Sequence, residues 1–226
     1  MQKPSRCLLF FVCAWLSHLH AAPAEKPATA PTVLLIGDTV ARQYSGTVGE
    51  LVKGNAIVDY LPLPAGSTSA LDEFKAEFSA KAPRYGLIYF ALGPEIARES
   101  ATGDKPQFNA RQLRKLLEDL FRDPSAMKQK LIWATAVPVP EGLSGFPGGR
   151  LESYNEIVAN LAYNRRALLL DLYDYVRLRR ADLQRPGDFM LTTTGVELVA
   201  SVVSNKIQEV LGEDNRPDLP RVLVLG

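Results

Sequence analysis

Three acidic residues and one hydroxyl group lie in short polar segments and are the side chains that chemistry could use. Asp38 and Thr39 follow one aliphatic run, Glu95 follows another, and Asp188 precedes the last long helical segment. Carboxylates that lie together can share protons, so that one acts as a general base, or they can bind a hard cation. A threonine hydroxyl becomes a nucleophile only beside such a base. The plainer interpretation, which the sequence favours, is three solvated loop acids with Thr39 or Asp38 capping a helix.

Histidine and cysteine occur only near the amino terminus. They are Cys7, Cys13, His18 and His20 in a chain of 226 residues. Residues 1–24 combine two basic residues, an apolar run of ten and several alanines, a pattern typical of a secretory signal peptide. The apolar run is too short to span a hydrocarbon core of about 30 Å. We therefore expect cleavage near residue 22 or 24, a secreted or periplasmic protein, and no membrane span after cleavage.

Removal of this leader would leave a chain with neither histidine nor cysteine. That excludes a zinc site built from those residues and any Ser–His–Asp or Cys–His machinery. We expect no cofactor and no metal site. The whole chain carries 26 basic and 25 acidic residues, a net charge of +1, which gives no reason to expect a nucleic-acid partner.

The remaining sequence alternates short apolar runs with segments of helical periodicity. Strands are predicted at 32–36, 55–60, 85–92, 130–137 and 167–170. Helices are predicted at 40–53, 69–80, 109–122, 151–164, 171–183 and 195–211, with Asn109 as the cap of the third. Such alternation predicts a three-layer α/β/α sandwich, flavodoxin-like, with a parallel sheet of about five strands. The predicted organisation is a leader at 1–24, a linker at 25–31, one domain at 32–211, a second linker at 212–219 and a tail at 220–226. Sites in such sheets lie beyond the carboxyl ends of the strands.

The polar segments after these strands resemble sequence blocks of the SGNH/GDSL hydrolases. The segment 37–39 (Gly-Asp-Thr) is similar to the Gly-Asp-Ser block, and Gly93 stands where that family has its Gly-x-Asn block. Gly66 is similar to the glycine of the second block, and 191–195 resembles the last block. Segments 131–141, 154–155 and 184–186 resemble a bacterial subgroup. The resemblance covers residues 31 to 211 and implies the SGNH fold. It also implies acyl-ester hydrolysis by a serine, with a histidine base, an aspartate partner, and a glycine and an asparagine holding the oxyanion.

The chain departs from this family at the positions that move protons. Thr39 takes the place of the nucleophilic serine, Glu95 the place of the asparagine, and Met190 the place of the histidine. The aspartate position holds Gly187, with Asp188 one step away. No catalytic residue is therefore expected, and the vestigial positions are Thr39, Gly93, Glu95 and Met190. The expected ligand-binding residues are Asp38, Thr39, Gly66, Gly93, Glu95 and Asp188.

Two functions remain open at this point. The first is an inactive SGNH hydrolase-like domain with a ligand-binding or regulatory role, for a small molecule or a glycan. The alternative is a weakly active or atypical hydrolase of acyl esters or acetylated glycans.

The final segment repeats an earlier pattern. Residues 220–226 (PRVLVLG) resemble residues 31–37 (PTVLLIG), where the first predicted strand lies. One interpretation is that a second SGNH domain begins here and continues beyond residue 226. The other is a tail or edge strand packed on the first domain.

Overall fold

The computed structural model of the chain describes residues 30–64, 68–99, 109–121, 129–165 and 167–212. The leader, most of the first linker, Gly66, residues 213–219 and the tail at 220–226 lie outside these ranges. The predictions made for them stay predictions. No helix within the described ranges is both long enough and apolar enough to cross a membrane.

The described residues form a single parallel sheet flanked by helices, as predicted. The strands are β1 (Thr32–Gly37), β2 (Ile57–Pro62), β3 (Leu87–Ala91), β4 (Lys130–Ala134) and β5 (Leu168–Leu170), in the spatial order β2-β1-β3-β4-β5. The helices are α1 (Thr39–Leu51), α2 (Thr68–Lys81), α3 (Ala110–Leu120), α4 (Arg150–Arg165), α5 (Leu172–Arg177), α6 (Arg180–Leu183) and α7 (Thr193–Gly212). Four neighbouring strand pairs all run parallel.

Alternate residues of the central strands feed two separate cores. Leu34 and Phe90 point to the face that α2, α3 and α4 cover, whereas Leu35 and Tyr89 point to the face that α1 and α7 cover. Successive side chains of a strand lie on opposite faces, so strands buried on both sides must be apolar throughout. This explains why the runs that identify β1 and β3 in the sequence are continuous rather than alternating.

The observed elements differ from the predicted ones at several boundaries: β2 begins and ends two residues later than predicted, and β3 is shorter than the predicted 85–92. The predicted helix over 171–183 is two helices, α5 and α6, because the backbone leaves the helical conformation at Arg179, with φ −128° and ψ 26°. Strand β4 ends at Ala134 rather than at residue 137. The next residue, Thr135, still donates its N–H to Leu170, but its hydroxyl bonds Asp171. The predicted Asn109 cap of α3 is confirmed and forms a complete capping box.

The topology creates one crevice at the carboxyl edge of the sheet. The chain leaves β1 through α1 on one face towards β2, and returns through α2 on the other face to β3. Where two successive connections diverge in this way, a crevice opens between the carboxyl ends of the two strands, and ligands bind there in open α/β sheets. Residues that follow β1 and β3 therefore line the natural site of this fold.

The buried Asn155 holds the chain after β4 in place. Its Oδ1 accepts a hydrogen bond from the Ala136 N–H at 2.8 Å, and its Nδ2 donates to the Ala136 carbonyl at 3.2 Å. Asn155→Ala is expected to lower the free energy of unfolding by about 2 kcal/mol, because both backbone groups lose their partner in a buried position. Urea denaturation measures the loss. Asn164→Ala, at an exposed position of the same helix, is the matched control, and an equal loss in that variant would contradict this role for Asn155.

Candidate functional site

Asp38 caps the helix that follows β1. Its Oδ1 accepts hydrogen bonds from the N–H groups of Val40 at 2.9 Å and Ala41 at 3.4 Å. The Tyr60 hydroxyl lies 2.8 Å from the carbonyl oxygens of both Gly37 and Asp38 and donates a shared hydrogen bond to them. These contacts fix the strand-to-helix turn. The cap is therefore Asp38, and the interpretation of Thr39 as the cap is wrong, because Thr39 is the first helical residue.

The Asp38 carboxyl group is enclosed rather than solvated. The residue is 8% exposed, and its Oδ2 has no hydrogen-bond partner among the described residues. Burial raises the pKa of Asp38 from its ordinary value of 3.8 to about 6; the nearby Glu95 carboxylate adds to the rise, while the capped N–H groups oppose it. The backbone N–H of Glu95 also lowers this pKa, but it does not reach the geometry of a hydrogen bond. The prediction of a solvated loop acid is wrong for Asp38.

Gly93 makes this enclosure possible. A Cβ atom at this position would lie 1.5 Å from Asp38 Oδ2 and 1.7 Å from Asp38 Cγ. Its backbone is extended, with φ −102° and ψ 171°, so the glycine is required for space and not for an unusual backbone conformation. The Gly93 backbone, after β3, therefore packs against the Asp38 side chain, after β1, at the floor of the crevice.

Thr39 and Glu95 meet above this floor. The Thr39 hydroxyl donates to Glu95 Oε1 across 3.2 Å. The same carboxylate oxygen lies 3.6 Å from a guanidinium nitrogen of Arg98, and the Glu95 side chain is 23% exposed. Glu95 and Arg98 sit at opposite ends of a short helical turn that begins at Pro94. Successive contacts thus join a hydroxyl, a carboxylate and a guanidinium in the site.

The opposite wall comes from the segment before α7. Gly187 has φ +68°, a left-handed turn that glycine adopts easily. After it, Asp188 Oδ1 accepts a hydrogen bond from the Met190 N–H at 3.2 Å. Gln184 donates from Nε2 to the carbonyls of Pro138 and Phe189, at 2.7 and 3.0 Å. Met190 is half-buried and packs on the core beneath α1 and α7.

These two walls enclose a cleft of about 350 Å³. Four predicted positions line it, namely Thr39, Glu95, Asp188 and Met190. Asp38 and Gly93 lie beneath it, and Gly66 is outside the described residues. The structure adds five residues that the sequence pattern did not place in the site: Arg98, Leu143, Ser144, Phe146 and Phe189. Ligand binding by the six residues named in the sequence analysis stays a prediction.

Two of these five residues, Arg98 and Phe146, could have been assigned to the site from the sequence. Arg98 is three residues beyond Glu95, the spacing of neighbours on a helical turn. Phe146 lies in the glycine-rich segment that follows β4. The structure brings the Arg98 guanidinium over the Phe146 ring, 4.7 Å from its centroid, and packs that ring edge-on against Phe189 at 5.2 Å. Within the described ranges, no group of three or more His, Cys, Asp or Glu side chains could hold a metal ion.

Comparisons with known proteins address the fold. No protein-family model matches the chain, and no curated protein matches it by sequence. Solved structures do match. A lipase/acylhydrolase from Enterococcus faecalis superimposes with a TM-score of 0.64 at 13% identity, covering 84% of this chain and 100% of its own. The acetyl xylan esterase AlAXEase gives 0.64 at 15% identity, covering 78% and 99%. An acetylxylan esterase from Geobacillus stearothermophilus gives 0.62 at 12% identity, covering 79% and 94%.

The chain has the fold of the SGNH hydrolases. The resemblance that the sequence blocks indicated is confirmed at the level of architecture. Identities of 12 to 15% establish a shared fold and no more. The esterase and lipase activities named above are those of the neighbouring proteins, and the polar groups of this SGNH-type cleft must be judged by their own chemistry.

Proposed function

We propose that the chain is an exported SGNH hydrolase-like domain that does not hydrolyse esters and instead holds a small ligand in its cleft. The observation that carries this proposal is the hydrogen bond from the Thr39 hydroxyl to Glu95. It places a carboxylate beside the hydroxyl that would have to attack an ester. The export of the domain rests on the predicted leader alone.

A carboxylate at this position opposes the chemistry of acyl transfer. The tetrahedral intermediate of ester hydrolysis carries an oxyanion, which hydrogen-bond donors must stabilise. Glu95 offers acceptors to that region, 3.2 Å from the Thr39 hydroxyl oxygen. Two unit charges of like sign about 4 Å apart repel by about 4 kcal/mol at a typical effective dielectric constant near a protein surface. Such repulsion alone would slow the step about a thousandfold.

The chain also lacks the usual base. Residues 21–226 contain no histidine. One neighbouring structure is described as a catalytic mutant of the Geobacillus stearothermophilus acetylxylan esterase in which a histidine is replaced by alanine. That enzyme therefore uses a histidine for catalysis, and Met190 cannot replace it because a thioether does not accept a proton at neutral pH.

Purified protein is expected to hydrolyse p-nitrophenyl acetate at the rate of Thr39→Ala protein, within error. The physical reason is that residues 21–226 contain no histidine base, and that the Glu95 carboxylate lies beside the Thr39 hydroxyl, where donors to an oxyanion would be needed. Release of p-nitrophenolate under matched buffer conditions measures the rate. Wild-type turnover at least about tenfold above the variant, with saturation in substrate, would overturn the proposal.

One observation favours the atypical hydrolase as a second candidate. The Thr39 hydroxyl, the Glu95 carboxylate and the Arg98 guanidinium stand in the order of a nucleophile, a base and an orienting group. If turnover is found, Glu95→Gln separates the two cases. A hydrolase that uses Glu95 as its base loses activity in this variant, whereas removal of the repulsive charge leaves activity unchanged or raises it.

A further inference from the structure

The cleft has more negative than positive charge among its described lining residues. Glu95 and Asp188 contribute carboxylates, and Arg98 is the one cation of the lining. Asp38 lies directly beneath and couples electrostatically to Glu95. With a pKa of about 6, Asp38 is mostly ionised at pH 7 and adds to the negative potential. A site of this charge repels anions and attracts cations.

Arg98 shows how a cation fits into this environment. Its guanidinium stands between the Glu95 carboxylate, at 3.6 Å, and the Phe146 ring, 4.7 Å from the centroid. A carboxylate on one side and an aromatic face on the other are the two groups that attract an organic cation. The Arg98 side chain is 44% exposed, and its contact with Glu95 is a loose ion pair that contributes little stability. A ligand cation can therefore share this position or displace the arginine from it.

Four of the six other lining residues are apolar, and Thr39 and Ser144 add hydroxyl groups. Phe146 and Phe189 pack edge to face with their centroids 5.2 Å apart, and Leu143 and Met190 complete the wall. The cleft of about 350 Å³ lies in the size range of small-molecule sites. A ligand that matches this lining has a compact apolar body and presents hydrogen-bond donors to Glu95 and Asp188.

We propose that the cleft binds an organic cation, a primary amine or guanidinium carried on a small apolar body. This inference rests on the proposed ligand-holding function and names its ligand class. The same carboxylate that repels an oxyanion attracts an ammonium group, so the replacement that prevents ester hydrolysis also sets the charge preference of the cleft. The cation would lie between Glu95 and the Phe146 ring, with its apolar body against Phe189 and Met190.

Three probes of nearly equal size and different charge test the proposal. Benzylammonium, benzyl alcohol and benzoate share one aromatic body and differ in the attached group. We expect benzylammonium to bind with a dissociation constant of about 1–10 mM, benzyl alcohol at least about tenfold more weakly, and benzoate not measurably. Chemical shifts of the Met190 methyl group and the Glu95 amide report occupancy at pH 7. Sodium chloride is added to equal ionic strength in every sample, because salt screens exposed charges.

Three variants locate the binding. Glu95→Gln is expected to weaken benzylammonium binding about tenfold, because a charge-assisted contact becomes a neutral one. Arg98→Ala is expected to tighten it severalfold, because the resident cation is removed. Glu209→Gln removes one negative charge at the far end of α7, outside the cleft, and leaves binding unchanged.

The outcomes separate this inference from the function on which it rests. Equal binding of benzyl alcohol and benzylammonium, preferred binding of benzoate, or an unchanged affinity in Glu95→Gln each overturns the cation site. None of these results bears on ester hydrolysis, which the p-nitrophenyl acetate assay measures separately. Conversely, an active esterase that binds benzylammonium as described would refute the inactivity and keep the cation site.

Discussion

Raising the pH from about 4 to about 7 is expected to destabilise the wild-type protein by about 2 kcal/mol relative to Asp38→Asn. Folding raises the pKa of Asp38 from 3.8 to about 6, chiefly because the carboxyl group is buried. The folded state therefore holds a proton that the unfolded chain has released. Stability from this group is fully present below pH 3.8, and it is lost as the pH rises through about 6. A tenfold change in proton affinity between the unfolded and folded states corresponds to about 1.4 kcal/mol. The change in stability between pH 4 and pH 7 is smaller than the full value of the shift, because the unfolded carboxyl group is already partly ionised at pH 4.

The ionisable groups around Asp38 do not reverse this loss of stability with rising pH. Glu95 faces it from the turn after β3 and raises its pKa further. Burial chiefly raises the pKa values of the Tyr44 and Tyr60 hydroxyl groups, the Asp38 charge adds to both rises, and both groups stay neutral over this range. Arg42 acts on Tyr60 in the opposite direction. The groups that set the pKa of Asp38 are its burial, the Glu95 carboxylate and backbone N–H groups, and none of these is a cation.

Urea denaturation at intervals between pH 4 and pH 7 gives the free energy of unfolding of wild type and Asp38→Asn. The difference between their two pH dependences tests the prediction. Asparagine caps helices as well as aspartate does, so Asp38→Asn preserves the start of α1. It carries a pH-independent cost because its Nδ2 has no acceptor, and the diagnostic quantity is the change with pH rather than the absolute stability. Glu209→Gln corrects for the loss of one charge. Parallel stability curves for wild type and Asp38→Asn would refute the buried, proton-holding carboxyl group.

Gly93→Ala is expected to cost about 3 kcal/mol of unfolding free energy or to prevent folding. The added Cβ would lie 1.5 to 2.0 Å from three atoms of the Asp38 carboxyl group. That group is held by its hydrogen bonds to Val40 and Ala41 and cannot rotate away without uncapping α1. Overpacking of a rigid site usually costs about 1–3 kcal/mol, and this contact is closer than side-chain adjustment alone can relieve.

A second substitution tests the cause of that loss. Asp38→Ala removes all three atoms that clash together with the cap, so Gly93→Ala should cost less stability in the Asp38→Ala background than in the wild type. Thermal denaturation of the four proteins gives the coupling between the two positions. Gly148→Ala, where an added Cβ meets nothing within 4 Å, is the control for a glycine replacement. Additive losses at Asp38 and Gly93 would mean that the two residues do not clash.

The fold could be predicted from the sequence because its signals are local. Continuous apolar runs such as 32–36 and 85–92 are typical of strands buried on both faces, and the helical periodicity between them requires a layered parallel sheet. The helix predicted over 171–183 was the exception. It is interrupted at Arg179, where the backbone is not helical, and no glycine or proline in the segment marks the break.

The departures from the family's catalytic residue types were likewise visible in the sequence. The absence of histidine beyond residue 20 is a fact of composition, and the resemblance to the SGNH/GDSL blocks implies that Thr39, Glu95 and Met190 stand at vestigial positions. They led to the expectation of an inactive SGNH hydrolase-like domain, and they required no coordinates.

Only the tertiary structure decided how these residues pair. Thr39 and Glu95 are 56 positions apart, and their hydrogen bond depends on β1 and β3 ending side by side at the crevice. The burial of Asp38 depends on the approach of Gly93, and the position of Arg98 depends on Phe146 from the segment after β4. Burial and long-range pairing arise when strands and helices pack together, and local periodicity does not record which loops meet. For that reason the sequence identified most of the cleft's polar groups, and the structure alone showed which of them lie together in one cleft.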